Sequence, residues 1–138
     1  MPLEKLKLND GVEVSSDNKQ IYILDDDESV RRSLKLLMVS YGFAVDTFFS
    51  SEEFFSTVPN NAEGCLILDI HMPGSSGWDT QQRLKEAGYD LPVIVITADK
   101  DDSFKDKALK AGAVGFLQKP FEDHYLLHMV NRVFNKTE

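Results

Sequence analysis

Five short apolar runs constrain this chain more than any other feature. They are Ile21–Leu24, Phe43–Phe48, Gly64–Leu68, Pro92–Ile96 and Val114–Gln118. The runs I-Y-I-L, C-L-I-L and V-I-V-I show no polar alternation, the mark of strands buried on both faces of a sheet. Between them lie segments with helical spacing. Ser29–Tyr41 sets Val30, Leu34, Leu37, Met38 and Tyr41 on one stripe, and Gly42 stands where a glycine would end that helix. Ser50 and Ser51 followed by Glu53 read as a second helix start. Further helices are expected over Trp78–Ala87, closed by Gly88, and over Asp102–Ala111, closed by Gly112. The last, Asp123–Phe134, carries Leu126, Leu127, Val130, Val133 and Phe134 on one side. Strand–helix alternation of this kind implies an α/β fold: a parallel sheet covered on both faces by right-handed crossovers.

Size and charge narrow the function. A chain of 138 residues with 42% hydrophobic content suits one domain with a true core. Acids outnumber bases 23 to 15, for a net charge of −8, which argues against direct contact with nucleic acid. No apolar run approaches the ~20 residues needed to span a bilayer, and residues 1–20 lack the apolar centre of a secretion signal. The lone Cys65 has no partner for an internal disulfide, in keeping with a reducing cytoplasm. Cys65 itself reads as a small buried hydrophobe.

Ligands of parallel α/β sheets bind beyond the carboxyl ends of the strands, and those ends carry a distinctive set of side chains. The first strand runs into Asp25, Asp26, Asp27 and Glu28; the third ends at Asp69, the fourth at Thr97 and the fifth at Lys119. Carboxylates brought together raise one another's pKa unless a cation intervenes. An all-oxygen set suits Mg²⁺, or Mn²⁺, better than zinc. A lysine and a hydroxyl opposite the metal are what phosphoryl oxygens require.

With these residues in place, the chain resembles the receiver domain of two-component response regulators. The stretches that carry the resemblance are IYILDDDES, LILDIHMPGSSGWD, VIVITADKD and AGAVGFLQKPF, in order, over about Lys19 to Phe134. The stretch AGAVGFLQKPFED is most similar to receivers of DNA-binding regulators with a helix-turn-helix output. The resemblance implies a flavodoxin-like (βα)5 three-layer sandwich with its parallel strands in the order 2-1-3-4-5. It implies Asp69 as phosphoryl acceptor, with Asp26 and the His71 backbone carbonyl as direct Mg²⁺ ligands beside Asp69, and Asp25 acting through water. Lys119, Thr97 and Ala98 would hold the phosphoryl oxygens, and Lys119–Pro120 would be a cis peptide.

The same resemblance implies a switch. Thr97 turns toward the phosphoryl group, Phe116 fills the space it leaves, and the surface of the fourth helix, fifth strand and fifth helix changes. Phe116 has no hydroxyl and can act only through packing. Positions two after the acceptor and two after the threonine tune phosphoryl hydrolysis, here His71 and Asp99, for which a contact across the mouth of the site is expected. The implied partners are a sensor histidine kinase or phosphotransfer protein and, on phosphorylation, a second copy of the chain. No membrane is implied.

Parts of the sequence also fit two other classes. Asp25-Asp26-Asp27 also fits, loosely, the opening motif of haloacid-dehalogenase-type phosphatases, with Asp25 as nucleophile and Asp27 as general acid. A receiver-like interaction module without phosphorylation is a third reading. Asp27 and Glu28 are otherwise expected to favour the first helix at its positive end. The Phe48-Phe49 and Phe54-Phe55 pairs are expected in the core and in helix packing. Trp78 is expected as a packing residue that could sense metal by fluorescence. Residues 1–18 read as an N-terminal extension, 19–134 as the receiver and 135–138 as a tail, a division that leaves no length for an output domain.

Overall fold

The computed structural model describes residues 19–71 and 76–135. In chain order the elements are β1 (Gln20–Leu24), α1 (Glu28–Ser40), β2 (Ala44–Phe48), α2 (Ser51–Thr57) and β3 (Cys65–Asp69). Then follow α3 (Gly77–Glu86), β4 (Val93–Thr97), α4 (Ser103–Lys110), β5 (Gly115–Gln118) and α5 (Asp123–Asn135). All pairings are parallel and the sheet order is β2-β1-β3-β4-β5. Every residue of β3 and β4 is buried, whereas the edge strands β2 and β5 are partly open, as the unbroken apolar runs of the inner strands require.

Successive side chains of each strand supply opposite faces, and so the core has two halves. Tyr22, Leu24, Leu66, Leu68, Val93 and Val95 pack with Phe54, Leu84 and Ala108 of α2, α3 and α4. Ile21, Ile23, Cys65, Ile67, Ile94 and Ile96 pack with Leu34 and Met38 of α1 and with Leu126 and Val130 of α5. Cys65 is wholly buried there, and burial pushes its thiol pKa up to about 12. It is a packing residue.

Several boundaries differ from expectation. β3 and β4 each extend one residue further, to Asp69 and Thr97, because those backbones still lie in register with Ile96 and Gln118 on the next strand. Tyr41 leaves the α1 stripe: it caps the helix end, outside helical geometry, with 55% of its surface exposed. Phe48 and Phe54 are core, but Phe49 is 59% exposed because it follows the inward-facing last residue of β2. α5 includes Asn135, which shortens the expected tail. The extension 1–18, residues 72–75 of the M-P-G-S-S-G turn and residues 136–138 lie outside the described residues.

Two glycines can be distinguished by what surrounds them. Gly42 has φ 93° with nothing within 4 Å of an added Cβ, whereas at Gly64, with φ 143°, a Cβ would overlap the Gln20 carbonyl oxygen. Gly42→Ala should therefore cost only the backbone penalty of about 1 kcal/mol. Gly64→Ala should cost about 3 kcal/mol, because overlap with backbone adds to it. Urea unfolding of the two variants against the parent measures the difference.

Candidate functional site

The register of the sheet assembles the site. Leu24 lies level with Leu68, so the residues that follow them, Asp25 and Asp69, emerge side by side. Thr97 lies level with Gln118, which places Lys119 one step beyond, and the Lys119 N–H donates to the Thr97 carbonyl at 2.7 Å. The Lys119 ammonium reaches both acids, at 3.2 Å from Asp25 Oδ2 and 3.6 Å from Asp69 Oδ2. The Lys119–Pro120 peptide is cis. Asp25, Asp26 and Asp69 bring one carboxylate oxygen each to within 4.8 Å of one another, Asp25 and Asp69 buried and Asp26 exposed.

Backbone amides complete the acids' surroundings. Asp25 Oδ1 accepts from the Asp27 N–H at 2.9 Å, and Asp69 Oδ1 accepts from the His71 N–H at 3.0 Å. The Asp25 carbonyl accepts from the Arg31 guanidinium at 2.8 Å, which ties α1 to the site. Burial, then the Asp25 charge, pushes the Asp69 carboxyl up to about 6, with the His71 amide and Lys119 pulling the other way. Three convergent carboxylates form an all-oxygen donor set of the kind that holds a hard divalent cation, and burial first, with the Asp25 charge second, outweighs the opposing pull of Lys119 on Asp69.

The remaining expected site residues lie on β4, β5 and the loops that follow β3 and β4. Thr97 is wholly buried, and its Oγ1 accepts from the Asp99 N–H at 3.0 Å. Ala98 is exposed beside it. Phe116 is half-buried against the face covered by α2, α3 and α4. His71 Nε2 lies 3.2 Å from Asp99 Oδ2, and the His71 ring lies 6.0 Å from that of Phe104. Trp78 packs edge-on against Phe104 at 5.5 Å, with Lys107 Nζ 4.4 Å from its ring centre.

Asp27 is set apart. Its carboxylate caps α1, accepting from the N–H groups of Ser29 and Val30, and Glu28 pairs with Arg32 at 2.8 Å. Gln118, absent from the expected set, donates from Nε2 to the Asp99 carbonyl at 3.3 Å. Arg31 was likewise not anticipated, since its role depends on how α1 lies over β1. A sequence signal did exist for Asp101 and Ser103, which take part in a hydrogen-bond chain from Asp99. The alternation T-x-D-x-D-x-S after β4 is a pattern of side chains that cap the backbone two residues on.

The family model of the response regulator receiver domain matches residues 21–131. The chain is a member of that family. The receiver is 48% identical over 107 residues to the response regulator protein TodT of Pseudomonas putida, covering 78% of this chain and 47% of the relative. It is 36% identical over 118 residues to the transcriptional regulatory protein FixJ of Bradyrhizobium diazoefficiens, covering 86% and 58%. Among solved structures, full-length FixJ from B. japonicum superposes with a TM-score of 0.80 at 36% identity, over 87% of this chain and 59% of that one. The response regulator StyR gives 0.78 at 39%, over 83% and 58%. The receiver thus spans about half the length of the curated relatives it matches. Its family and strand order are those of receivers, and Asp27, which a phosphatase would need as general acid, is taken up in capping α1. Among the described residues no helix is long and apolar enough to cross a membrane.

The raised Asp69 carboxyl predicts a pH effect in metal-free protein. A folded-state pKa of about 6 lies above the ordinary 3.8, so the folded form holds the proton more tightly and stability falls as pH rises from about 4 to about 6. Screening by solvent leaves a loss on the order of 1–2 kcal/mol, below the full ~1.4 kcal/mol per pKa unit. Asp69→Asn, which mimics the protonated acid, should match the parent near pH 4 and exceed its stability at pH 7. Urea unfolding in EDTA at both pH values reads this directly.

Proposed function

We propose that this receiver takes a phosphoryl group onto Asp69 from a histidine kinase, a phosphotransfer protein or a small phosphodonor in the cytoplasm. The observation that carries the reading is the Lys119 ammonium, held 3.2 Å from Asp25 and 3.6 Å from Asp69 over three convergent carboxylates. An Asp69 carboxylate oxygen attacks phosphorus in line; the new P–O bond forms as the bond to the donor's nitrogen or oxygen breaks, leaving an acyl phosphate. With a carboxyl pKa of about 6, Asp69 is ionised and nucleophilic at neutral pH. Asp26, Asp69 and the His71 carbonyl, with Asp25 through water, would hold Mg²⁺ or Mn²⁺, which supplies charge neutralisation at the transferring group. Lys119 pairs with one phosphoryl oxygen, and the Thr97 hydroxyl and the Ala98 backbone N–H bind the others.

Phosphorylation adds close to two negative charges at one strand end. Thr97 then turns toward the new group and Phe116 moves inward behind it. The surface made by α4, β5 and α5, where Leu109, Val114 and Tyr125 are 42%, 48% and 54% exposed, pairs with a second copy of the chain. The His71–Asp99 pair, 3.2 Å apart, tunes hydrolysis. The receiver unit occupies residues 19–134. The chain as a whole carries a charge of −8, and this acidic receiver does not itself contact nucleic acid. Its products are a signal and, slowly, inorganic phosphate, so it is not a turnover enzyme.

Incubation with acetyl phosphate and Mg²⁺, read by intact mass, tests the chemistry. The parent should gain one phosphoryl group, Asp69→Asn should gain none, and EDTA should abolish the gain. Lys119→Ala should slow phosphorylation by at least about ten-fold, as loss of one charge-stabilising donor does. Size exclusion of the phosphorylated protein should show a dimer. His71→Ala and Asp99→Ala should each change the phosphoryl half-life; unaltered decay in both would remove the tuning role.

A further inference from the structure

The loop between β4 and α4 holds a ladder of hydrogen bonds in which each second residue caps the next. Thr97 Oγ1 accepts from the Asp99 N–H at 3.0 Å, and Asp99 Oδ1 accepts from the Asp101 N–H at 3.0 Å. Asp101 Oδ1 accepts from both the N–H and the hydroxyl of Ser103, at 2.9 and 2.7 Å. Ser103 is the first residue of α4, and the residue in the capping position, Asp102, makes no side-chain cap. The first turn of α4 is therefore capped by a loop residue, which is itself held by Asp99, which is held by Thr97. Asp99 is fixed on two further sides, by His71 at its carboxylate and by Gln118 at its carbonyl.

We propose that Asp99 and Asp101 are positioning residues that make the first turn of α4 depend on where the Thr97 hydroxyl points. This rests on the reading of Asp69 as phosphoryl acceptor. Side-chain rotamers are separate staggered wells. A rotation that carries Thr97 Oγ1 onto a phosphoryl oxygen takes it off the Asp99 N–H. Asp99 then loses the bond at its own N–H and pivots on the contacts with His71 and Gln118, its Oδ1 releases the Asp101 N–H, and Asp101 releases Ser103. α4 is poised to respond, because Ala108 is its one buried residue. The Ser103 bonds also hold the Asp101 carboxyl below its ordinary range, so it is an ionised acceptor at neutral pH.

The molecule carries its own reporter. Trp78, the single tryptophan, lies on α3 against Phe104 and Lys107, both on α4. The test is Trp78 emission of the full chain with Mg²⁺, before and after beryllium fluoride as phosphoryl mimic, with adduct occupancy followed by ¹⁹F NMR. In the parent, adduct formation should change the emission. Asp101→Asn keeps an acceptor oxygen and should keep the change. Asp101→Ala removes the acceptor; its emission should already be shifted without beryllium fluoride, and full adduct should add little more. A full emission change in Asp101→Ala, or none in the parent despite full adduct, would overturn the coupling. Absence of any adduct in the parent would instead overturn the acceptor reading, and this coupling with it.

Discussion

Two carboxylates in this receiver are taken almost wholly out of water within ion-pairing distance of one ammonium, and much of the remaining architecture serves to hold them there. Asp25 is fully buried and Asp69 is 5% exposed, and desolvation of like charges at such proximity opposes folding. Lys119 reaches both but leaves the Asp69 carboxyl raised. The strand ends thus bring three carboxylates to one ammonium, with burial as the main cost at Asp69. An all-oxygen cluster of this kind is the donor set that a hard divalent cation prefers, and bare carboxylates alone would repel an anionic phosphoryl group.

Holding unlike elements to such tolerances requires a rigid frame, and the sheet supplies it. β3 and β4 are buried along their full length, so their registers are fixed by packing on both faces. A shift of one residue in either would turn Asp69 or Thr97 to the wrong side of the sheet. The two core halves differ in character. On the α2–α3 side, Tyr22, Phe48, Phe54, Phe55 and Tyr89 form a network of edge-on and tilted rings, further held by the Tyr89 hydroxyl donating to the Val58 carbonyl. The α1–α5 side is mainly aliphatic.

The fold and the charged cluster were legible because both are written in period and position. Unbroken apolar runs mark buried parallel strands, and a charged residue just after such a run must lie at a sheet edge where ligands bind. Asp25, Asp69, Thr97 and Lys119 followed from that logic. What was not legible depends on how elements lie across one another. Arg31 reaches the Asp25 carbonyl through the placement of α1, and Gln118 reaches Asp99 across the gap between β5 and the β4–α4 loop. Tyr41 fitted the helical stripe, but the helix stops one residue earlier, and no periodicity rule registers where a cap falls. Phe49 was read by type rather than by strand alternation, which sends it outward.

The helices are unequally attached, and this gives the direction in which a change at the site can travel. α1 buries Leu34 and Met38, α3 buries Leu84 with Thr80 and Gln81, and α5 buries Leu126 and Val130. Each large apolar side chain contributes about 1.5–3 kcal/mol on burial, so moving any of these helices off the sheet costs several kcal/mol. α4 buries Ala108 alone, and a single alanine contributes far less. Its first turn is instead capped from the loop that begins at Thr97. A perturbation worth a few hydrogen bonds is too small to displace α1, α3 or α5, but is comparable to what holds the start of α4. The helix nearest the threonine is therefore the one whose hold on the sheet rests least on apolar burial and most on hydrogen bonds from its loop.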